Sequence, residues 1–265
     1  DPTRASSSEL VAAAAAVGGA SGGPVELELE ITTGRLGGGL WSQWLHAASG
    51  GERGLMQAAD AVRVIQQTTA AVGPVALTLH GAGDPMLHPE LEQIVAAARG
   101  AGAIGVHVRT DGLSPEFDSD RLMGLGADVV SVDVLAAHAE AHETLTGTDR
   151  FLSIVRTIAA CAKATRGRAG AVGMATPWIV PRITRCDEVY EDIEAFYQQW
   201  LMIAGAAVID PLPVAVDGRR IAPLPPPEGV QRRFERDRVV VLSDGTVVGE
   251  APAIRAKLAR RLTAA

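Results

Sequence analysis

Three consecutive glycines, Gly37, Gly38 and Gly39, follow the apolar run VELELEIT at 25–32. A glycine loop after a first strand can hold an anion on its backbone N–H groups. This one has no Lys-Ser/Thr partner and no GxGxxG pattern, which argues against a phosphate cradle. Polar groups recur at the ends of the later apolar runs. His80 leads into Gly81-Ala82-Gly83-Asp84-Pro85, and Arg109-Thr110-Asp111-Gly112 closes the next run. Ser131 and Asp133, then Thr176, then Asp210 follow. His80, Asp84, Asp111 and Asp133 are residue types that do acid–base work. For any one of them a cap or a turn is the plainer reading. Their recurrence at run ends is the better argument for a shared cleft.

Other constellations invite a metal or a thiol. His138, Glu140, His142 and Glu143 place two imidazoles at i and i+4, on one helical face, where zinc would need a third ligand. His88, Glu90 and Glu92 surround Pro89, and that pattern reads as a helix start with acids at its positive end. Cys186, between Arg185 and Asp187, reads as a helix lead-in residue before a reactive thiol. Cys161 is the other cysteine, and two thiols alone make neither a disulfide framework nor a cluster ligand set.

The elements that must position these groups repeat one theme from Pro24 onward. Apolar runs lie at 25–32, 74–80, 104–110, 128–134, 169–176 and 205–211. Helical candidates lie between them, near 53–72, 88–101, 118–125, 137–145, 150–165 and 187–203. Six βα units in a row predict a parallel sheet with right-handed crossovers, closed or open, with its functional face at the strand C-termini. The runs after the first are nearly continuous in apolar character, as strands buried on both faces require. The expected organisation is an N-terminal helix and linker over 1–23, an α/β barrel-like domain over 24–212, and a tail over 213–265. That tail holds a Pro-rich connector, a hairpin at 238–250 with a tight primed turn on Asp244-Gly245, and a basic amphipathic helix, Ala253 to Leu262.

Composition bounds the rest. The net charge of -7 argues against a general nucleic-acid binder, and the arginines at 232, 233, 236 and 238 alternate with Glu235 and Asp237. No run reaches the roughly 18 apolar residues of a membrane span. The apolar stretch at 10–20 lacks the basic lead of a signal peptide. The expected setting is a reducing cytosol.

LTLHGAGDPMLHPELEQIVAAARGAGAIGVHVRTDG (77–112) resembles the second βαβ unit of the radical S-adenosylmethionine superfamily, with its GGEP-like strand end, its LLHPEL lead-in and its Thr-Asn-Gly strand end. VVSVDVLAAHAEAHETLTGTDRF resembles the fourth-strand segment, and RVVVLSDGTVVGE is similar to the hairpin that opens a SPASM-like tail. The resemblance covers roughly 25–250 and implies an α/β fold, a partial (β/α)6 barrel of TIM-like type. In that family EITT precedes a CxxxCxxC loop whose thiolates hold a [4Fe–4S] cluster. Here the matching positions are Arg35, Gly39 and Ser42, with His46 the nearest imidazole, and Gln231 and Gly249 stand near the SPASM-like cysteine positions. The resemblance therefore implies a degenerate member, with no [4Fe–4S] cluster and no other metal. Its remnant S-adenosylmethionine site would comprise Gly81, Gly83, Asp84, Asp111, Asp133 and Met174, with Val172 and Ile179 as further aliphatic contacts.

Two readings follow from the resemblance. The first is a non-catalytic partner, scaffold or specificity subunit, working with an active paralogue or as a homodimer, and holding no cofactor. The second is a cluster-independent enzyme that binds S-adenosylmethionine or a small molecule at the strand ends. Trp41 and Trp44 would either plug the barrel mouth or face a partner.

Overall fold

A computed structural model describes residues 25–49, 51–172, 177–211 and 238–249. In chain order its elements begin with β1 (Val25–Leu29), α1 (Leu40–Ser49), α2 (Ala58–Val72), β2 (Val75–Leu79) and α3 (Leu91–Gly100). Next come β3 (Gly105–Thr110), α4 (Ser119–Gly124), β4 (Val129–Asp133), α5 (Ala139–Thr146) and α6 (Phe151–Val172). The last are β5 (Trp178–Arg185), α7 (Asp192–Ala204), β6 (Val208–Pro211), β7 (Arg238–Val241) and β8 (Val247–Gly249). The fold is α/β, as the βα repeat predicts. No helix among the described residues is long and apolar enough to cross a membrane.

The chain falls into two compact units. The first is Asp1–Thr33, Arg53–Val106 and Pro227–Ala265, and the second is Gly34–Glu52 and His107–Pro226. In the first unit β1 pairs in parallel with β2 on one side and β7 on the other. β8 returns antiparallel to β7. The tail hairpin is thus part of the sheet. Its turn is not the primed type expected for Asp-Gly: Gly245 N bonds Leu242 O, Gly245 has φ +83°, and Asp244 caps Thr246 N through its carboxylate at 2.9 Å. This is a type I turn closed by a left-handed glycine. In the second unit β4 pairs with β3 and β5, and β5 with β6, all in parallel.

Side-chain alternation explains how each sheet segment is covered. In β1, Val25, Leu27 and Leu29 are buried while Glu26 and Glu28 are half-buried. In β3, Val106, Val108 and Thr110 are buried while His107 and Arg109 are half-buried. One face packs under helices: α2 lies on β1, β2 and α3 in the first unit, and α6 and α7 lie on β5 in the second. The other face carries charges. In β3 only one face is dry, contrary to the sequence expectation for the later runs, whereas β2 and β4 are buried at nearly every position, as expected.

Two elements differ from the sequence expectation. Residues 169–172 belong to α6, and the fifth strand is Trp178–Arg185. The buried series Phe151, Ile154, Ile158 and Cys161 keeps helical spacing. Pro181 hides the strand from a sequence reading, although in the sheet it sits opposite Val132. Met174 and Thr176 lie outside the described residues, as do the 1–23 segment and residues 253–262, where the sequence predicts a helix. The second difference is α1, which begins directly after Gly39 where a loop is expected.

Candidate functional site

In the first unit three segments converge on Glu30, which is 2% exposed at the exit of β1. Its carboxylate accepts from Arg53 Nε at 2.9 Å and Arg53 Nη2 at 2.8 Å. It also accepts from Ala82 N at 2.8 Å, Ser243 N at 3.2 Å and Ser243 Oγ at 3.1 Å. Gly81 is the consequence: a Cβ there would stand 2.4 Å from Glu30 Cγ. The glycine-rich strand end thus receives a carboxylate from its own chain. Asp84 is 1% exposed and caps the turn Pro85–Leu87 by accepting from Met86 N at 2.9 Å. Gly83 is buried beside it. His80 pairs with Glu28 at 3.2 Å, and Arg238 bridges Glu26 and Glu28. His88 is a buried tie between two segments: Nε2 lies 2.8 Å from Met56 O, and Nδ1 accepts from Glu90 N.

In the second unit the glycine loop has an answer. Gly37 and Gly39 lie flat against the C-terminal end of α5. Gly39 N donates to Thr146 O at 3.1 Å. A Cβ on Gly39 would stand 2.3 Å from Leu145 O, and one on Gly37 2.5 Å from Thr146 O. Gly147 closes α5 in the left-handed region and meets Gly39 backbone to backbone. Gly38 has open space. The loop then turns into α1, whose Trp41, Trp44, Leu45 and Ala48 have helical spacing, a signal present in the sequence. Trp41 and Ser42 are buried.

Arg35 points from this loop to Asp111. Nη1 lies 2.6 Å from Asp111 Oδ2, and both side chains are almost fully buried. Asp111 Oδ1 accepts from Leu113 N at 2.9 Å. A second group of charges runs across β3 to β6. Asp133 accepts twice from Arg109 Nε at 2.9 Å, and Arg182 pairs with Asp210. Arg109 also reaches Asp210 at 3.3 Å, and Arg182 reaches Asp133 at 3.7 Å. The row alternates in sign, so each carboxylate lies between two guanidiniums. The sequence offers Asp133 and Asp210 as strand-end candidates but not Arg182, whose strand it misplaces.

His138 and His142 do not act together, although their spacing allows it. His138 is exposed and lies 3.0 Å from Asp192. His142 is fully buried, with Nδ1 2.8 Å from Val134 O and its ring tilted against Phe151. Among the described residues no group of three His, Cys, Asp or Glu could hold a metal ion. Burial pushes the Cys161 thiol up to about 11, helped by Asp118, and Cys186 up to about 12, helped by Glu188. Both thiols are therefore protonated and unreactive near neutral pH.

The glycine seat gives a paired test. Gly39→Ala, which drives a Cβ into a carbonyl, should lower stability by about 2 kcal/mol or more in urea unfolding, while Gly38→Ala should change it by less than about 1 kcal/mol. Equal effects would contradict the seat. His142 gives a second. Burial lowers its pKa from 6.5, so the folded chain keeps it neutral while the unfolded chain protonates. Its contribution is intact above pH 6.5 and is lost as the pH falls below that value. Between about pH 7.5 and about pH 5.5 the chain should lose more stability than its His142→Gln variant. Equal losses would contradict the buried imidazole.

No family model and no curated protein matches the sequence. Solved structures do match. Streptococcus suis SuiB bound to S-adenosylmethionine superposes with a TM-score of 0.61 at 10% identity, over 87% of this chain and 60% of that one. anSMEcpe with bound AdoMet gives 0.55 at 14% identity, over 76% of this chain and 56% of that one. The FeFe-hydrogenase maturase HydG from Carboxydothermus hydrogenoformans gives 0.54 at 14% identity, over 96% and 61%. The chain thus spans about 60% of the length of the structures it matches. At these identities the likeness is one of fold, and the fold is that of radical S-adenosylmethionine enzymes.

Proposed function

We propose that this chain uses the radical S-adenosylmethionine fold without a cluster, as a non-catalytic partner or specificity subunit that recognises a polypeptide. The observation that carries the reading is the buried Arg35–Asp111 ion pair. Arg35 occupies the first cysteine position of the resemblance, and Asp111 belongs to its remnant S-adenosylmethionine site. A cluster loop needs thiolates. Arg35, Gly39 and Ser42 supply none, and a side chain at position 39 would collide with the end of α5. Cys161 lies on α6 and Cys186 follows β5, both buried and protonated. The donor set therefore does not fit a [4Fe–4S] cluster.

The remnant nucleotide-site groups are engaged as well. Gly81 lies against the Glu30 side chain, Asp84 caps a turn, Asp111 binds Arg35 and Asp133 binds Arg109. Each of these contacts satisfies a buried group from within the chain, which favours a structural role for groups that could otherwise hold a ligand or move a proton. Support for a polypeptide partner comes from fold neighbours: SuiB has been solved bound to precursor peptide SuiA, and anSMEcpe with a Cp18Cys peptide.

Calorimetric titration of the anaerobically prepared chain with S-adenosylmethionine tests the reading. It predicts no heat of binding. A saturable one-to-one isotherm would overturn it and favour a cluster-independent enzyme at the strand ends.

A further inference from the structure

The second unit carries an open cleft of about 460 Å³ outside the glycine-loop site. It lies where β4 and β5 lead out, between the start of α5 and the approach to α7. His138, Val189 and Tyr190 line it together with Asp187, Glu191 and Asp192. Asp192 is fixed in place, accepting from Ala137 N at 2.8 Å and meeting His138 Nε2 at 3.0 Å. Asp187 and Glu191 are exposed.

The cleft continues as an apolar stripe. Tyr190 is 61% exposed, Tyr197 41% and Leu201 41%. Tyr190 and Glu191 already have helical backbone angles ahead of α7. Positions 190, 197 and 201 therefore fall within about 40° of one another around the helix axis. The opposite side of α7 is spent on the core, where Phe196 and Trp200 are fully buried. The exposed side thus offers carboxylates at one end and Tyr190, Tyr197 and Leu201 along about 16 Å of helix, with Glu194 on the same face.

One segment of this chain has the complementary pattern. Residues 251–265 carry Arg255, Lys257, Arg260 and Arg261 and no carboxylate side chain. Ile254, Leu258 and Leu262 recur at every fourth position, a stripe of about 12 Å on a helix. We propose that the acidic cleft and the Tyr190–Tyr197–Leu201 stripe dock the basic amphipathic segment Ala253–Leu262 of a second copy of this chain. Charge complementarity favours this seat, with basic side chains of the segment toward Asp187 and Glu191. The aromatic and leucine side chains supply the apolar contact, as in other helix-in-groove interfaces.

The test uses the full chain and a synthetic peptide of residues 251–265. Sedimentation velocity should show self-association that weakens with salt, and the peptide should return the chain to monomer. In anisotropy titrations, Asp187→Asn with Glu191→Gln, and separately Tyr197→Ser with Leu201→Ser, should each weaken peptide binding by about tenfold or more. These are surface changes, and circular dichroism checks that the fold is intact. A peptide with Ile254→Ser, Leu258→Ser and Leu262→Ser should not compete. A chain that stays monomeric and does not bind the peptide would overturn the proposal. So would binding that ignores the cleft variants, or equal binding by the serine-substituted peptide, which would mean unspecific charge attraction. None of these readouts involves S-adenosylmethionine, so failure here is distinct from failure of the proposed function.

Discussion

A carboxylate taken out of water must be partnered, because an unpaired buried charge costs several kcal/mol. This chain buries Glu30, Asp84, Asp111 and Asp133, each at 2% exposure or less. Much of the local architecture near the strand ends is the set of answers to that constraint. Glu30 draws Arg53, the backbone at Ala82 and the hairpin residue Ser243 onto one side chain. The post-helix segment, the second strand exit and the tail hairpin are thereby fixed to β1. Asp111 draws Arg35, and with it the glycine loop. Asp133 sits between Arg109 and Arg182 in a row that crosses neighbouring strands of the second unit.

The glycines follow from the same economy of space. Gly81 exists because the Glu30 side chain lies where a Cβ would be, and Gly39 because the backbone at the end of α5 does. Neither glycine needs a bound phosphate to explain it. Arg35 reaches Asp111 from a loop whose path is set by this backbone contact. The combination gives the loop internal contacts at both its polar and its apolar ends.

Much of this was legible in the sequence, and the exceptions have causes. The apolar run VELELEIT located β1, though not its two faces, and LHPEL located the start of the helix after β2. The acids Asp84, Asp111 and Asp133 stood out because they end apolar runs. Their partners did not: Arg53 lies 23 residues from Glu30, and Arg35 lies 76 from Asp111. No local pattern links residues so far apart. The fifth strand was hidden because Pro181 interrupts it and because α6 continues into a stretch that is apolar enough to read as a strand. α1 was hidden because three glycines suggested a loop, although Trp41, Trp44, Leu45 and Ala48 already carried the helical period.

The measurement that tests the account most directly is the iron and acid-labile sulfide content of the purified chain after anaerobic reconstitution. The account predicts that neither is retained above a control without protein, because the loop offers no thiolate and Arg35 is committed to Asp111. A stoichiometric [4Fe–4S] cluster that survives desalting would contradict it. Such a cluster would mean that ligands from beyond the loop reach the site and that Arg35 gives up its partner.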